Sequence, residues 1–371
     1  MRIPAPPLIL LLLLAASLRA GAADAATGAT RSGFTTERVA EGVYALIRRE
    51  PPGLWFEANS VFLIGPDDVI VVDTGMTLEA ARAALAELRR LSDKPVRYVV
   101  NTHWHDDHLV GNQVYREAFP GVDFIAQASA PADMAGTGAK NRAGNIEHGA
   151  GFAATLHKLI GSGKNFLGQA LAEDERAGYA ATATLVEQYL REAPSVRIIA
   201  PTVLVHERLT LMRGGHPIEI RHPGAGHTAA DLVVYLPDAG VLIAGDTVVW
   251  PVPLVGSTSY PAQFSASLAR LLALKPNVIV PGHGPVLHDD RYLRQEKALL
   301  DDLVAQTRSA IAAGANLEQT RKRVDLSRAK AGFIAGSAMR SFIFDNYVTD
   351  SGVAAAYREL GGKTETPGPG S

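Results

Sequence analysis

The chain has 371 residues, 47% of them hydrophobic and 20% charged, with a formal net charge of −2. That is the balance of a soluble globular protein with one large domain or two small ones, and no long basic run marks a nucleic-acid partner. The complete absence of cysteine excludes disulfides, thiolate metal ligands, a cysteine nucleophile and a lipid anchor on cysteine.

Residues 1–22 read as a secretory signal: Arg2, an apolar run from Pro7 to Leu18, then small residues with cleavage expected at Ala20-Gly21-Ala22. The run is shorter than the about 20 residues that a membrane span requires. The mature chain is therefore expected to have no membrane span and to be periplasmic or secreted. From Gly33 onward, "VYALIRR", "NSVFLIG" and "VIVVDTG" are runs of β-branched residues bounded by Gly, Pro and Asp, the signature of strands and turns. Thr77 to Ser92 switches to helical periodicity with Thr77 as N-cap. "VRYVV" is a short buried strand that delivers the chain to Asn101. Residues 127–194 are mostly helical and read as an insertion over the sheet. A second strand block follows in "TVLVHERLTLM", "HPIEIRH", "DLVVYLP", "GVLIAGD" and "NVIVPGHG". Residues 288–360 form a C-terminal helical extension, and 361–371 a frayed tail. The two strand blocks predict two similar α/β halves facing each other.

The densest chemical feature is "NTHWHDDHLVGN", which places three of the chain's eleven histidines between His103 and His108. Taken alone, it is either a solvated polar loop or a metal site. It sits at the C-terminal end of a strand, where α/β sheets place their ligands. Histidines at i and i+2 point to one side, and the next two residues, Asp107 and His108, can reach a neighbouring point. Nitrogen and carboxylate ligands without sulfur suit zinc, and also iron or manganese. Three further candidates lie beside glycines at strand ends: His227 just before a strand in "GAGHTAAD", Asp246 at the C-terminal end of the apolar strand in "LIAGDT" and His283 at that of "VIVPGHG".

This set, H-x-H-x-D-H followed by a distal His, Asp and His, resembles the metallo-β-lactamase superfamily, as does "VVDTG" with Asp73. The resemblance spans about Phe34 to Leu287. It implies an α/β (α+β) fold, an αββα sandwich of two mixed β-sheets with helices on both outer faces, covering residues 33–287. It also implies two Zn2+ per chain, with iron or manganese as alternatives. His103, His105 and His227 would hold one metal and Asp107, His108 and His283 the other, with Asp246 bridging. A metal-bridged hydroxide would attack a carbonyl, making Asp107 and Asp246 part of the catalytic apparatus. The Asp of "GDT" is the form seen in thioesterases and lactonases of the superfamily. The expected activity is hydrolysis of a small-molecule ester, lactone, thioester or amide, β-lactams included among the amides. The alternatives are a mononuclear iron oxygenase resembling the persulfide dioxygenases, a nuclease, and a metal-binding protein without turnover. Asp73 either orients a ligand histidine or caps a turn. Asp231 reads as a structural acceptor and Asp106 as solvent-facing. Trp55 and Phe56 either wall the site or pack beneath it. Oligomeric state is not legible.

Overall fold

The computed structural model describes residues 33–362, so the expected signal segment and all but the first two residues of the expected tail lie outside it. The first sheet has seven strands in the order β1-β2-β3-β4-β5-β6-β7. They are β1 (Phe34–Ala40), β2 (Val43–Arg48), β3 (Ser60–Ile64), β4 (Val69–Val72), β5 (Val96–Val100), β6 (Asp123–Gln127) and β7 (Val203–Val205). Pairing is antiparallel from β1 to β4 and parallel from β4 to β7. The second sheet runs β12-β11-β10-β9-β8. Its members are β8 (Arg208–Arg213), β9 (His216–Arg221), β10 (Val233–Leu236), β11 (Val241–Val249) and β12 (Val278–His283). Only β11 and β12 pair in parallel.

Strand periodicity sorts the core into three layers. Successive side chains face opposite sides of a sheet, so Val69 and Val71 of β4 pack outward, while Ile70 and Val72 face the second sheet. The inter-sheet layer is completed by Ile220, Val234, Ile243 and Val280 from the other side. Outside the first sheet lie α1 (Leu78–Leu91), the one-turn α2 (Asp106–Leu109) and α3 (Asn112–Ala118). Leu78, Ala81, Leu85 and Leu88 of α1 share one cluster with Phe62, Val99 and Phe124. As the sequence predicts, Thr77 caps α1, its hydroxyl accepting from Ala80 N at 3.2 Å.

Between β6 and β7 come α4 (Ala130–Asp133), α5 (Ala139–Ser162) and α6 (Glu173–Glu192), the predicted helical segment. Outside the second sheet, Val233, Leu242 and Ala244 pack on α7 (Pro261–Ala273) and α8 (Arg291–Ala312). Then follow α9 (Leu317–Arg323), α10 (Ser327–Ile334), α11 (Ala338–Phe344) and α12 (Ser351–Glu359). The result is an α/β fold of two mixed sheets between helical layers. No helix among the described residues is long and apolar enough to cross a membrane.

Two expectations change. "TVLVHERLTLM" reads as a single strand of the second block, but β7 ends the first sheet and β8 edges the second, with the chain passing between them at His206–Glu207. Asp246 is not at a strand end either: β11 continues to Val249, with register shifts around Gly245. Gly245 adopts φ +52°, and a Cβ there would lie 2.5 Å from the Thr102 side chain. This irregularity sets Asp246 against the loop after β5.

Candidate metal centre

Four chain segments meet at one edge of the sandwich. The loop after β5 and the turn of α2 bring His103, His105, Asp107 and His108. The β9–β10 loop brings His227, β11 brings Asp246, and His283 ends β12. All seven candidates converge in two groups, His103 with His105 and His227, and Asp107 with His108, Asp246 and His283. Within each group the potential ligand atoms lie within 4.8 Å of one another.

In the first group, His103 Nε2 and His227 Nε2 each lie 3.0 Å from His105 Nδ1. In the second, Asp107 Oδ2 lies 3.2 Å from His108 Nε2 and 3.1 Å from His283 Nε2. Asp246 stands between the groups. Its Oδ1 is 3.2 Å from His108 Nε2 and 3.3 Å from His283 Nε2, while Oδ2 is 3.5 Å from His227 Nε2 and 4.0 Å from His103 Nε2. A Cβ on Gly282 would fall 2.0 Å from Asp246 Oδ1, so only glycine lets β12 pass this carboxylate.

The ring nitrogens that point away from the cluster are engaged, which fixes ring orientation and tautomer. His108 Nδ1 donates to Asp73 Oδ2 at 2.8 Å, His227 Nδ1 to Leu254 O at 2.9 Å and His283 Nδ1 to Glu57 O at 3.0 Å. Asp73, buried at 2% exposure, also accepts from Thr102 N at 2.8 Å and Thr102 Oγ1 at 2.7 Å. It therefore orients His108 while shaping the turn, and it does so at φ +56°, a conformation that Asp tolerates better than most residues. Asp231 accepts from Thr228 N and Oγ1 at 2.9 and 2.6 Å, the structural role expected of it.

Electrostatics divide the groups. Burial pushes the imidazoles of His103, His105 and His227 down, His105 to about 3, so their nitrogens present free lone pairs. Burial opposes ionisation of Asp107 and Asp246, but His108 and His283 beside them hold both well below the ordinary carboxylate range. Against the same burial, Asp246 and Asp107 bring His283 up to about 9, and Asp107, Asp246 and Asp73 raise His108. The second group thus demands positive charge at its centre. His108 Nε2, His283 Nε2 and Asp246 Oδ1 are all buried without a hydrogen bond of acceptable geometry. Converging donor atoms that do not satisfy one another fit a cation.

Asp106 departs from expectation. Its carboxylate does not face solvent: it accepts from Arg142 of α5 at 3.1 and 2.5 Å and from the Tyr189 hydroxyl of α6 at 2.8 Å. The helical insertion is thereby tied to the ligand-bearing turn. Glu57 was not legible either. Buried, it accepts from Met76 N at 2.6 Å and Thr77 Oγ1 at 2.7 Å, linking the β4–α1 turn to the segment that holds His283. Asp106 occupies a variable position of the His103–His108 motif and Glu57 has no motif around it, and the partners of both side chains are far away in sequence.

A pocket of about 350 Å³ opens onto His105, Asp107, His227 and Asp246, with Leu54, Trp55, Phe56, Met76 and Leu254 as its apolar side. Trp55 and Phe56 therefore wall the site, and the Phe56 ring stands edge-on 4.6 Å from that of His283. A wider cleft of about 720 Å³ continues along α5.

Residues 53–283 match the family model described as the metallo-beta-lactamase superfamily. A curated protein, "Linear primary-alkylsulfatase" of Pseudomonas sp. (strain ATCC 19151), is 29% identical over 260 residues, 67% of this chain and 44% of that protein. The chain thus spans less than half the length of that relative. Among solved structures, "Metallo-beta-lactamase from Pontibacter korlensis" is similar at a TM-score of 0.49 and 19% identity, covering 72% of this chain and 99% of that one. The DIM-1 metallo-beta-lactamase gives 0.47 and 18%, over 72% of this chain and 97% of its own.

Proposed function

Because the chain belongs to the metallo-beta-lactamase superfamily of metal-dependent hydrolases, we propose that it is an exported dinuclear zinc hydrolase acting on a carbonyl compound. The observation that supports this reading most is the placement of Asp246, whose two oxygens face the two ligand groups separately. His103, His105 and His227 would hold one zinc, Asp107, His108 and His283 the other, and Asp246 both. Bound zinc supplies a water acidified toward neutrality and polarises the bond to be cleaved. Asp73, Leu254 O and Glu57 O hold the imidazoles in the tautomer that binding requires. Trp55, Phe56, Met76 and Leu254 shield the reacting centre from bulk water and favour a substrate with an apolar part. The sequence of residues 1–22 supports export, with the periplasm as destination.

A second reading, hydrolysis of a sulfate ester of a linear alcohol, rests on the identity to the alkylsulfatase and on the same apolar wall. Substituting Asp246→Asn tests the bridge by metal stoichiometry. Weakening of both zinc equivalents together is expected, and loss of one alone assigns Asp246 to a single centre. Assays of the zinc-loaded protein on p-nitrophenyl acetate, a lactone, a thioester, nitrocefin and dodecyl sulfate separate the two substrate readings.

A further inference from the structure

The family-matched residues end at 283, yet the pocket over the ligand groups is completed by residues beyond them. Tyr347 and Ser351 line the same pocket as His105, Asp107, His227 and Asp246. Tyr347 lies on the π-helical stretch Asp345–Asp350, between α11 and α12. π-Helical turns insert an extra residue into a helix and concentrate at functional sites. This one is held firmly. Phe344 and Val348 on either side are fully buried. The Glu359 carboxylate at the end of α12 accepts from Ala262 N and Gln263 N of α7 at 2.7 and 3.1 Å, and Arg358 donates to Ser259 O at 2.8 Å.

The phenol of Tyr347 is set apart from its neighbours. Tyr189 donates to Asp106, Tyr292 to Val249 O and Tyr235 to Leu274 O. Tyr347 is only half-buried, faces the pocket, and makes no hydrogen bond among the described residues. A phenol ordinarily ionises only near pH 10, so at neutral pH it carries its proton and can donate it into the pocket. Of the other hydroxyls and amides on this wall, Thr258 Oγ1 already donates to His227 O at 3.3 Å, Asn141 and Ser257 are solvent-exposed, and Ser351 is a half-buried hydroxyl at the start of α12 whose reach is shorter than that of the Tyr347 phenol.

We propose that Tyr347 is a catalytic hydrogen-bond donor, its phenol O–H held toward the substrate oxygen that gains negative charge as the scissile bond is attacked, and that the C-terminal helices are therefore part of the active site. The phenol keeps its proton throughout and only shares it. This assignment rests on the hydrolase reading above. A preorganised donor to a developing oxyanion contributes on the order of 10²-fold to 10³-fold in kcat when water is excluded. In a pocket open at one side, the lower end applies.

The test compares the wild-type chain with Tyr347→Phe, both loaded with zinc, in two measurements. One is kcat and KM on the best substrate of the panel. The other is calorimetric binding of butylphosphonate, a tetrahedral anion that needs no turnover. The expected variant keeps its metal content and thermal midpoint, loses about 100-fold in kcat with little change in KM, and binds the phosphonate at least tenfold more weakly. Equal phosphonate affinity in both proteins overturns the proposal, as does a wild type that binds none. So does a loss of activity accompanied by lost zinc or a lowered midpoint, which marks a structural role. A wild type that binds zinc and phosphonate yet hydrolyses nothing overturns the hydrolase reading instead, and with it the catalytic role of Tyr347.

Discussion

Substituting Asp73→Asn isolates the one carboxylate that both shapes the ligand loop and orients a ligand. Asparagine matches the volume and tolerates φ +56° as readily as aspartate does, so backbone strain is unchanged. The amide has one acceptor instead of two. Thr102 N–H can only donate, at 2.8 Å, so the remaining oxygen stays with it and the NH₂ takes the place of Oδ2. The Thr102 hydroxyl can rotate to accept that NH₂, but His108 Nδ1–H cannot, because two donors would face each other 2.8 Å apart. The imidazole must shift its proton to Nε2, the nitrogen that faces Asp107 and Asp246. Losing such an orienting partner typically costs 10-fold to 100-fold in metal affinity, about 1.4–2.7 kcal/mol. That matches the about 1.5–3 kcal/mol of one charge-assisted hydrogen bond. Zinc titration against a chromophoric chelator should show one equivalent weakened by that factor and the other, held by His103, His105 and His227, unchanged. Unaltered affinity at both centres would refute the orienting role.

Three further substitutions probe other parts of the account. Gly282→Ala places a methyl group 2.0 Å from Asp246 Oδ1; the carboxylate must move, and metal analysis should find both centres depleted, whereas full occupancy would mean that Asp246 is dispensable to them. Arg142→Ala removes two hydrogen bonds to Asp106 at a place where the two side chains are only 17% and 10% exposed; it should cost about 1–3 kcal/mol, read as a lowered thermal midpoint of the metal-free chain, and an unchanged midpoint would dismiss the clamp. Glu296 on α8 is fully buried with both oxygens unpartnered, and burial, then Asp246, raises it well above the ordinary carboxylate range. It is protonated in the folded chain and ionised in the unfolded chain above about pH 4.5, so the stability it contributes at lower pH is lost as pH rises, by up to about 1.4 kcal/mol per unit. Glu296→Gln removes that slope, and the stability gap between variant and wild type should widen as pH rises above about 4.5; parallel pH profiles would show that Glu296 does not titrate.

The strands and the first cluster of candidate ligands were legible because both are written locally. Runs of β-branched residues such as "VIVV" and "DLVVYLP" mark the strands, whereas their sorting into layers, Val69 and Val71 on one side and Ile70 on the other, was implied by the family resemblance alone. The histidines announce themselves by spacing within six residues, and the family resemblance, later matched over residues 53–283, extends that reading to His227, Asp246 and His283. What escaped depends on tertiary partners. Asp106 reads as a solvated residue because Arg142 and Tyr189 lie 36 and 83 residues away. β7 and β8 read as one strand because the change of sheet falls in the short polar step His206–Glu207, with no Gly or Pro to mark a turn. Tyr347 sits in a run that reads as ordinary amphipathic helix, and nothing in its neighbours signals a pocket.

The central claim is that two zinc ions are held by these seven side chains. Elemental analysis of the purified, signal-free chain, produced with zinc, iron and manganese all available, tests it most directly. The account predicts two zinc equivalents per chain, falling to one or fewer in His105→Ala while the fold persists. A single iron per chain, with oxygen consumed and no substrate hydrolysed, would contradict it in favour of the mononuclear oxygenase.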